Sequence, residues 1–261
     1  MQFSFKKYQG TGNDFVIIDN RENLFDHSKL EAIQFICDRK FGVGSDGLIL
    51  IENHSEYDFN MVFFNPDGSQ SFCGNGSRCA VQFAHDLGII KKEHTEFIST
   101  DGWHEAYVLG DNIVKLKMHD VSAINRQDRF DFMNTGSPHY VAFKANLNEL
   151  DIIKEGSKVR YDKAYQNIGG TNVNFIGEKG DSYEVRTYER GVENETLSCG
   201  TGVTACALSI ALKKELKSDE VILGTKGGSL SVSFNKVNET SFNNIWLQGP
   251  ATFVFDGVIT I

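Results

Sequence analysis

Residues 71–80, SFCGNGSRCA, have a close counterpart at residues 197–206, LSCGTGVTAC. In each stretch a cysteine, Cys73 or Cys199, precedes a glycine, a polar residue, a second glycine and a helix-forming run. The two cysteines are 199 − 73 = 126 positions apart. This repetition predicts that the chain contains two copies of one structural unit.

Three further pairs of segments keep the same order and nearly the same offset. TGNDFV from residue 11 matches TGSPHYV from 135, GSDGLILI from 44 matches GTNVNFI from 170, and FNMVFFNPDG from 59 matches YEVRTYERG from 183. We therefore expect an N-terminal lobe of residues 1–120, to which residues 251–261 return, and a C-terminal lobe of residues 121–250. The polar residues 119–129 are expected to cross between the lobes.

The periodicity of apolar residues indicates the elements of each lobe. Alternation predicts strands at residues 59–64, 103–109, 113–118, 183–188, 229–235 and 245–248. Helices are expected at residues 29–40, 76–87 and 203–216, and the last is apolar on nearly every face, which is typical of a buried helix. The expected fold is α+β, with two pseudo-symmetric lobes, each a β-barrel-like sheet around a central helix.

Composition excludes several classes of function. The chain has 261 residues and a net charge of −9, its lysines and arginines are scattered, and its longest aliphatic run covers only residues 48–51. Neither a nucleic-acid partner nor a membrane span is therefore expected. Five cysteines without dense spacing fit free thiols in a reducing cytoplasm.

A cysteine at the start of a helix lies among unpaired backbone N–H groups at the positive end of the helix dipole. Its thiol loses a proton more readily there, and neighbouring glycines let a ligand carboxylate approach the N–H groups. Pseudo-twofold symmetry would make Cys73 and Cys199 face each other across a cleft. This arrangement suits proton removal from one face of a carbon and proton return to the other, without metal or organic cofactor.

Other interpretations of these residues compete with that one. Cys37, Cys79 and Cys206 lie on apolar helix faces and are expected to be buried structural thiols. No cysteine or histidine pair has zinc-ligand spacing, so we expect no metal site. Nucleotide binding stays a weaker alternative, because neither glycine-rich loop carries a Walker lysine or a Rossmann fingerprint.

Over essentially its whole length the sequence resembles the diaminopimelate epimerase family, which works without pyridoxal phosphate. The motifs that carry the resemblance are GTGNDFVIID, GVGSDGLIL, FNPDGS leading to CGNGSRC, SPH, TNVNF, YERG leading to CGTG, and GPATFVFDG. The resemblance implies that Cys73 and Cys199 are the acid and base and that His139 and Glu189 support catalysis. It implies substrate binding by the following residues: Asn13, Asn65, Gly74, Asn75, Asn172, Glu189, Arg190, Gly200 and Thr201.

The sequence departs from the family pattern at three positions. Ser137 replaces the usual asparagine before Pro-His, Gly47 replaces a glutamine of some members, and Phe255 replaces a tyrosine that supports the dimer in some members. The resemblance implies a homodimer acting on a small amino-acid substrate. Proline or hydroxyproline racemases and the phenazine-biosynthesis isomerases are the alternatives, and the presence of both cysteines argues against the latter. For Arg190, the competing interpretation is a surface ion pair with Glu189 or Glu193.

Overall fold

Two units make up the chain in the computed structural model, which describes residues 1–180 and 182–261. The first unit is Met1–Leu116 together with Gly249–Ile261, and the second is Lys117–Gln248. The first unit thus ends at Leu116 where the sequence suggested residue 120, and the returning segment begins at Gly249 rather than near residue 251.

The N-terminal stretch of the first unit contains two α-helices and seven strands. Its elements in order are β1 (Gln2–Gly10), β2 (Asn13–Asp19), α1 (Leu30–Cys37), β3 (Gly47–Glu52), β4 (Phe59–Phe64), α2 (Gly74–Asp86), β5 (His94–Ser99), β6 (Gly102–Val108) and β7 (Ile113–Lys117).

The second unit also consists of strands with two α-helices between them, and the last strand, β17, returns to the first unit. The elements are β8 (Asn125–Arg126), β9 (Asp131–Asn134), β10 (Pro138–Phe143), α3 (Ile152–Arg160), β11 (Asn172–Lys179), β12 (Ser182–Glu189), β13 (Asn194–Thr196), α4 (Gly200–Lys213), β14 (Ser218–Thr225), β15 (Gly228–Lys236), β16 (Phe242–Pro250) and β17 (Thr252–Thr260).

Strand pairing repeats from one unit to the other. In the first unit β2 runs parallel to β3, β3 antiparallel to β4, β4 parallel to β5, and β5 antiparallel to β6. In the second unit β10, β11, β12, β14 and β15 follow the same succession of parallel and antiparallel pairs. In both units one helix lies between the two parallel strands of each parallel pair, as a parallel connection requires. The duplication inferred from the sequence is therefore a duplication of topology.

One helix in each unit is buried by the strands of that unit. Residues 74–84 of α2 are all buried, and so is α4 from Gly202 to Leu212. The other helix packs on the outside of the sheet, where α1 contributes Ile33 and Ile36 to an apolar cluster and α3 contributes Ile152 to another. The α+β fold with central helices is confirmed.

The central helices begin earlier than periodicity suggested, α2 by two residues at Gly74 and α4 by three residues at Gly200. The first residues of both helices are mostly glycines and polar residues of low helix propensity, so apolar periodicity does not indicate the first turn. None of the helices within residues 1–180 and 182–261 is long and apolar enough to cross a membrane.

The expected crossing segment, residues 119–129, lies inside the second unit. Val121 and Ile124 are buried, and Val121 exchanges backbone hydrogen bonds with Phe242. The polar residues around these two apolar positions suggested a linker, but the apolar pair ties the segment to the second unit.

Candidate active site

Cys73 is the N-cap residue of α2. Its backbone is extended, with φ −133° and ψ 109°, and the backbone N–H of Gly76 donates to its sulfur over 3.4 Å. The sulfur therefore takes the place that a serine or aspartate oxygen fills at many helix starts. This geometry places the thiol at the positive end of a buried helix, as the sequence predicted.

Asn13 and Asn75 lie beside this sulfur. Asn13 Oδ1 is 3.7 Å from Cys73 Sγ and accepts a hydrogen bond of 3.2 Å from Asn75 Nδ2. Asn13 Nδ2 donates to Asp46 Oδ2 over 2.6 Å, which fixes the orientation of the amide. Three of the predicted site residues are thus joined in one cluster, and Asp46 is a supporting residue that sequence reasoning missed.

Asn65 is not joined to this cluster. It lies in the turn before Cys73, where its amide nitrogen donates over 3.1 Å to the backbone carbonyl of Ser69 and to the hydroxyls of Ser69 and Ser71. The contacts of Asn65 in this structure are therefore those of a residue that closes a turn.

Cys199 is the N-cap residue of α4, with φ −126° and ψ 110°, nearly the same backbone conformation as Cys73. Its sulfur is 3.6 Å from the hydroxyl of Thr201. Thr201 is held from a second side, because the hydroxyl of Thr135 donates to its carbonyl over 2.8 Å.

His139 contacts Thr201 rather than the cysteine itself, with 2.9 Å between His139 Nε2 and Thr201 Oγ1. Asn174 Nδ2 donates to the other ring nitrogen, Nδ1, over 3.1 Å. The orientation of the Asn174 amide is set by its bonds to the carbonyl of Tyr140 and the hydroxyl of Thr187. Because Nδ1 accepts, the ring proton is on Nε2 and points to Thr201.

Burial holds His139 in its neutral form. The ring is fully buried, and desolvation followed by the positive charge of Arg190 lowers the pKa of the imidazole to about 3. A cationic histidine is therefore excluded near neutral pH, and His139 acts as a neutral hydrogen-bond donor.

Asn172, Arg190 and Ser137 form a second cluster in the same unit. Asn172 donates to Ser137 Oγ over 2.9 Å and accepts from the backbone N–H of Arg190 over 2.9 Å. Arg190 Nη2 donates to Ser137 Oγ over 3.2 Å. Ser137, the departure from the family pattern, thus accepts hydrogen bonds from the side chains of both other residues.

The guanidinium of Arg190 donates to the carbonyl of Ile168 over 3.4 Å and to Ser137 Oγ over 3.2 Å. Glu193 pairs instead with Arg160 at 2.9 Å, and Glu189 accepts a hydrogen bond of 2.8 Å from Thr196. These contacts of Arg190 are those of a residue held beside Ser137, and the pairing of Glu193 with Arg160 leaves the surface-ion-pair interpretation without support at that position.

Two glycines near the site have steric roles. A Cβ at Gly202 would lie 2.4 Å from Asn174 Oδ1, so this glycine makes room for the amide that orients His139 rather than for a ligand. A Cβ at Gly47 would lie 2.3 Å from the ring of Phe63, which explains why no glutamine side chain stands there.

Sequence reasoning missed Asn174, although a signal for it was present. Asn172 and Asn174 are two residues apart on β11, so their side chains leave the strand on the same face. The motif TNVNF therefore carries two inward-facing amides, of which only the first was identified.

The sequence of this chain is similar to those of known proteins over most of its length. The family model described as diaminopimelate epimerase matches residues 5–124 and 132–254. A diaminopimelate epimerase of Flavobacterium psychrophilum is 49% identical over 97% of this chain and 98% of its own length. The corresponding protein of Chlorobaculum tepidum is 41% identical over 97% of this chain and 99% of its own length.

Solved structures share the fold at low sequence identity. A Bacillus anthracis protein of the PhzF phenazine-biosynthesis family has a TM-score of 0.76 and 14% identity, with full coverage of both chains. A hydroxyproline epimerase from Agrobacterium vitis has a TM-score of 0.73 and 15% identity, covering 99% of this chain and 92% of that one.

Proposed function

Since this chain belongs to the diaminopimelate epimerase family, we propose that it interconverts LL- and meso-diaminopimelate. The observation that supports this most is that each unit places a cysteine at the N-cap of its buried helix. Inversion at one α-carbon needs one group to remove a proton and another to supply one, and the chain offers two thiols in matching positions.

The proposed reaction uses no metal or organic cofactor. The thiolate of one cysteine takes the α-proton and becomes a thiol, while the electron pair of the broken C–H bond spreads into the α-carboxylate. The thiol of the other cysteine then gives its proton to the opposite face and becomes the thiolate. Backbone N–H groups at Gly74, Asn75, Gly200 and Thr201 stabilise the negative charge that develops on the carboxylate.

His139 supports the second cysteine through Thr201. Because Nε2–H of the neutral ring donates to Thr201 Oγ1, the threonine hydroxyl directs its own proton to Cys199 Sγ. A donor to sulfur favours the thiolate over the thiol. Glu189 is proposed to assist beside Cys199 and to bind a substrate ammonium group.

Arg190, Asn172 and Asn13 are proposed to hold the ends of the substrate that do not react. A planar guanidinium binds a carboxylate at two points, and Asn172 and Ser137 fix the position of this one. Asn65 and Asn75 are proposed to complete substrate binding in the first unit.

The activity is tested by α-proton exchange in deuterated water, without added pyridoxal phosphate, on LL-diaminopimelate and separately on L-proline. Deuterium is expected to enter diaminopimelate and not proline. Cys73→Ser and Cys199→Ser should each lower epimerisation by about a hundredfold or more, because a hydroxyl is a far poorer base. Cys37→Ala, which removes a buried thiol on α1, is the control and should leave the rate of epimerisation unchanged. Exchange into proline alone would instead assign a racemase.

Arg190→Lys tests the carboxylate assignment. Loss of one charge-assisted contact is expected to lower kcat/KM by roughly 10- to 100-fold, corresponding to about 1.5–3 kcal/mol. Arg21→Lys, at an exposed ion pair with Asp19, is the matched control and should stay within twofold of the parent. Equal kinetics for both variants would remove Arg190 from the substrate site.

We also propose that the chain works as a homodimer in the reducing cytoplasm. β17 pairs with β1 and exposes the apolar side chains of Phe253, Val254, Phe255 and Val258. A cluster of exposed apolar side chains is typical of an interface. Sedimentation of the parent and of Phe255→Glu distinguishes a dimer through this strand from a monomer.

A further inference from the structure

Arg78 is a fully buried cation in the central helix of the first unit. It follows Cys73 by five residues, in the second turn of α2. Its guanidinium forms no ion pair with any carboxylate among residues 1–180 and 182–261, and its Nε has no hydrogen-bond partner there. A buried charge without an opposite charge is costly, so its retention calls for an explanation.

The contacts of Arg78 are all with uncharged acceptors. Nη2 donates to Asn75 Oδ1 over 3.0 Å and to Thr11 Oγ1 over 3.5 Å, and Nη1 donates to the carbonyl of Gly74 over 3.5 Å. Gly10 makes room for the guanidinium, because a Cβ there would lie 3.3 Å from Nη2. Burial lowers the pKa of Arg78 to about 10, so the side chain is still charged at neutral pH.

The ionisable groups that act on this charge are Cys73 and Cys79. Cys79 is fully buried, and burial raises the pKa of its thiol, so it stays neutral. Of these two thiols, Cys73, at the N-cap of the same helix, is the one that can take a negative charge.

Other charged groups around α2 are engaged elsewhere. On β1, Tyr8 donates to Asp86 at the far end of α2, and Lys7 pairs with Asp14. Asp46 binds Asn13 and Arg39, and His104 on β6 stacks against Phe72.

We propose that Arg78 is a positioning residue for Cys73: its buried charge stabilises the thiolate, and its bond to Asn75 Oδ1 sets the amide that holds Asn13 beside the sulfur. Because Asn75 Oδ1 is occupied by Arg78, Asn75 Nδ2 must face Asn13. The neighbouring Asn13 Oδ1 accepts from the thiol form and would favour it. The positive charge of Arg78 opposes that preference and favours the thiolate.

The duplication supplies an internal comparison. The counterpart of Arg78 in the second unit is Thr204, since 78 + 126 = 204, and its hydroxyl donates to the carbonyl of Gly200 over 3.0 Å. Both side chains therefore satisfy the carbonyl that follows the cysteine, but only Arg78 brings a charge. The positive charge therefore distinguishes the first unit from the second at this position of the repeat.

The experiment measures the pH dependence of alkylation of each cysteine by iodoacetamide, read by peptide mass spectrometry in the full chain without substrate. In the parent, the midpoint for Cys73 should lie below about 8.5, the value of an ordinary thiol. Arg78→Met should raise that midpoint by about one pH unit or more and leave the midpoint of Cys199 unchanged. Arg78→Lys, which keeps the charge, should restore most of the shift.

Controls separate this effect from a loose fold. Thr204→Val, the matched change in the second unit, should leave the Cys73 midpoint unchanged. Alkylation of the buried Cys79 or Cys206 would reveal unfolding, and Arg78→Gln then replaces Arg78→Met as the neutral variant. A Cys73 midpoint at or above 8.5 in the parent, or one that Arg78→Met or Arg78→Gln leaves unchanged in a folded protein, overturns the inference.

The inference bears on catalysis only if the proposed function holds, but its readout is thiol reactivity rather than turnover. If diaminopimelate exchange fails while the Cys73 midpoint moves, the proposed substrate is wrong and the role of Arg78 stands. If exchange succeeds and the midpoint does not move, the role of Arg78 is wrong and the function stands.

Discussion

His139 shows at the scale of one residue how burial fixes a chemical role. Its neutral ring receives a hydrogen bond from Asn174 and donates one to Thr201, so it cannot gain a proton without losing a partner. The same burial that lowers its pKa to about 3 makes folding depend on pH.

The sign of this dependence follows from the lowered pKa. An unfolded histidine takes up a proton near pH 6.5, whereas folded His139 does so only near pH 3. Its contribution to stability is therefore complete above pH 6.5 and is lost as the pH falls toward 3. Between pH 7.5 and 5.0 the parent should lose about 2 kcal/mol of unfolding free energy through this residue.

Urea unfolding of the parent and of His139→Gln at both pH values tests this expectation. Between pH 7.5 and 5.0, His139→Gln should lose less unfolding free energy than the parent by about 2 kcal/mol, whatever its stability at pH 7.5. His85→Gln, at an exposed histidine on α2, serves as the control. Equal losses in the parent and His139→Gln would show that His139 is not held neutral.

At the scale of elements, the first turns of α2 and α4 look alike in sequence but differ in packing. A Cβ on Gly76 would meet its nearest neighbours at 3.4 Å, close to ordinary contact, whereas a Cβ on Gly202 would be 2.4 Å from Asn174 Oδ1. The same glycine in the repeat is therefore needed for space in one unit and is nearly dispensable in the other.

Gly202→Ala should lower the unfolding free energy by about 1–3 kcal/mol, because Asn174 must leave its place beside His139. Gly76→Ala, its counterpart in the repeat, should change stability by less than about 1 kcal/mol. Urea titrations of the two variants provide the comparison. Losses of the same size in both would contradict the steric explanation.

The sequence was sufficient for the elements whose pattern is regular and for the residues that lie in long motifs. The strand predicted at residues 59–64 is β4 as observed, and the buried character of α4 followed from its apolar faces. Asn174 and Arg78 were missed because their importance depends on partners from other strands or other turns. The glycines after each cysteine, Gly202 among them, were expected to give a ligand access, because no sequence pattern shows that the side chain of Asn174 occupies the space beside Gly202.

At the scale of the whole molecule, the family and the α+β fold inferred from the motifs are confirmed. The first unit is built from two separate stretches of chain, because β17 pairs with β1 along most of its length. Phe255 and Phe253 of β17 contact the rings of Phe5 and Tyr8, with centroid distances of 6.0 Å and 5.6 Å.

Removal of residues 252–261 should therefore destabilise the first unit selectively. Hydrogen exchange of the truncated chain should show lost protection in β1 and β2 and retained protection in β11, β12 and β15. The untruncated chain carrying Phe255→Ala is a milder control that keeps the backbone pairing. Uniform loss of protection in both units would contradict the division described above.

The pairing of Gln2 with Thr260 also determines when each part of the protein can form during translation. The second unit is a continuous stretch that ends at Gln248, so all its strands have been synthesised before β17 exists. β1 also pairs with β2, so it has one neighbouring strand early, but its other edge stays open until β17 follows β16 in the chain. Phe3 and Phe5 are among the apolar residues that β1 buries. We therefore expect the second unit to complete its sheet before the first unit does, in contrast to the usual N-terminal-first order of folding on the ribosome.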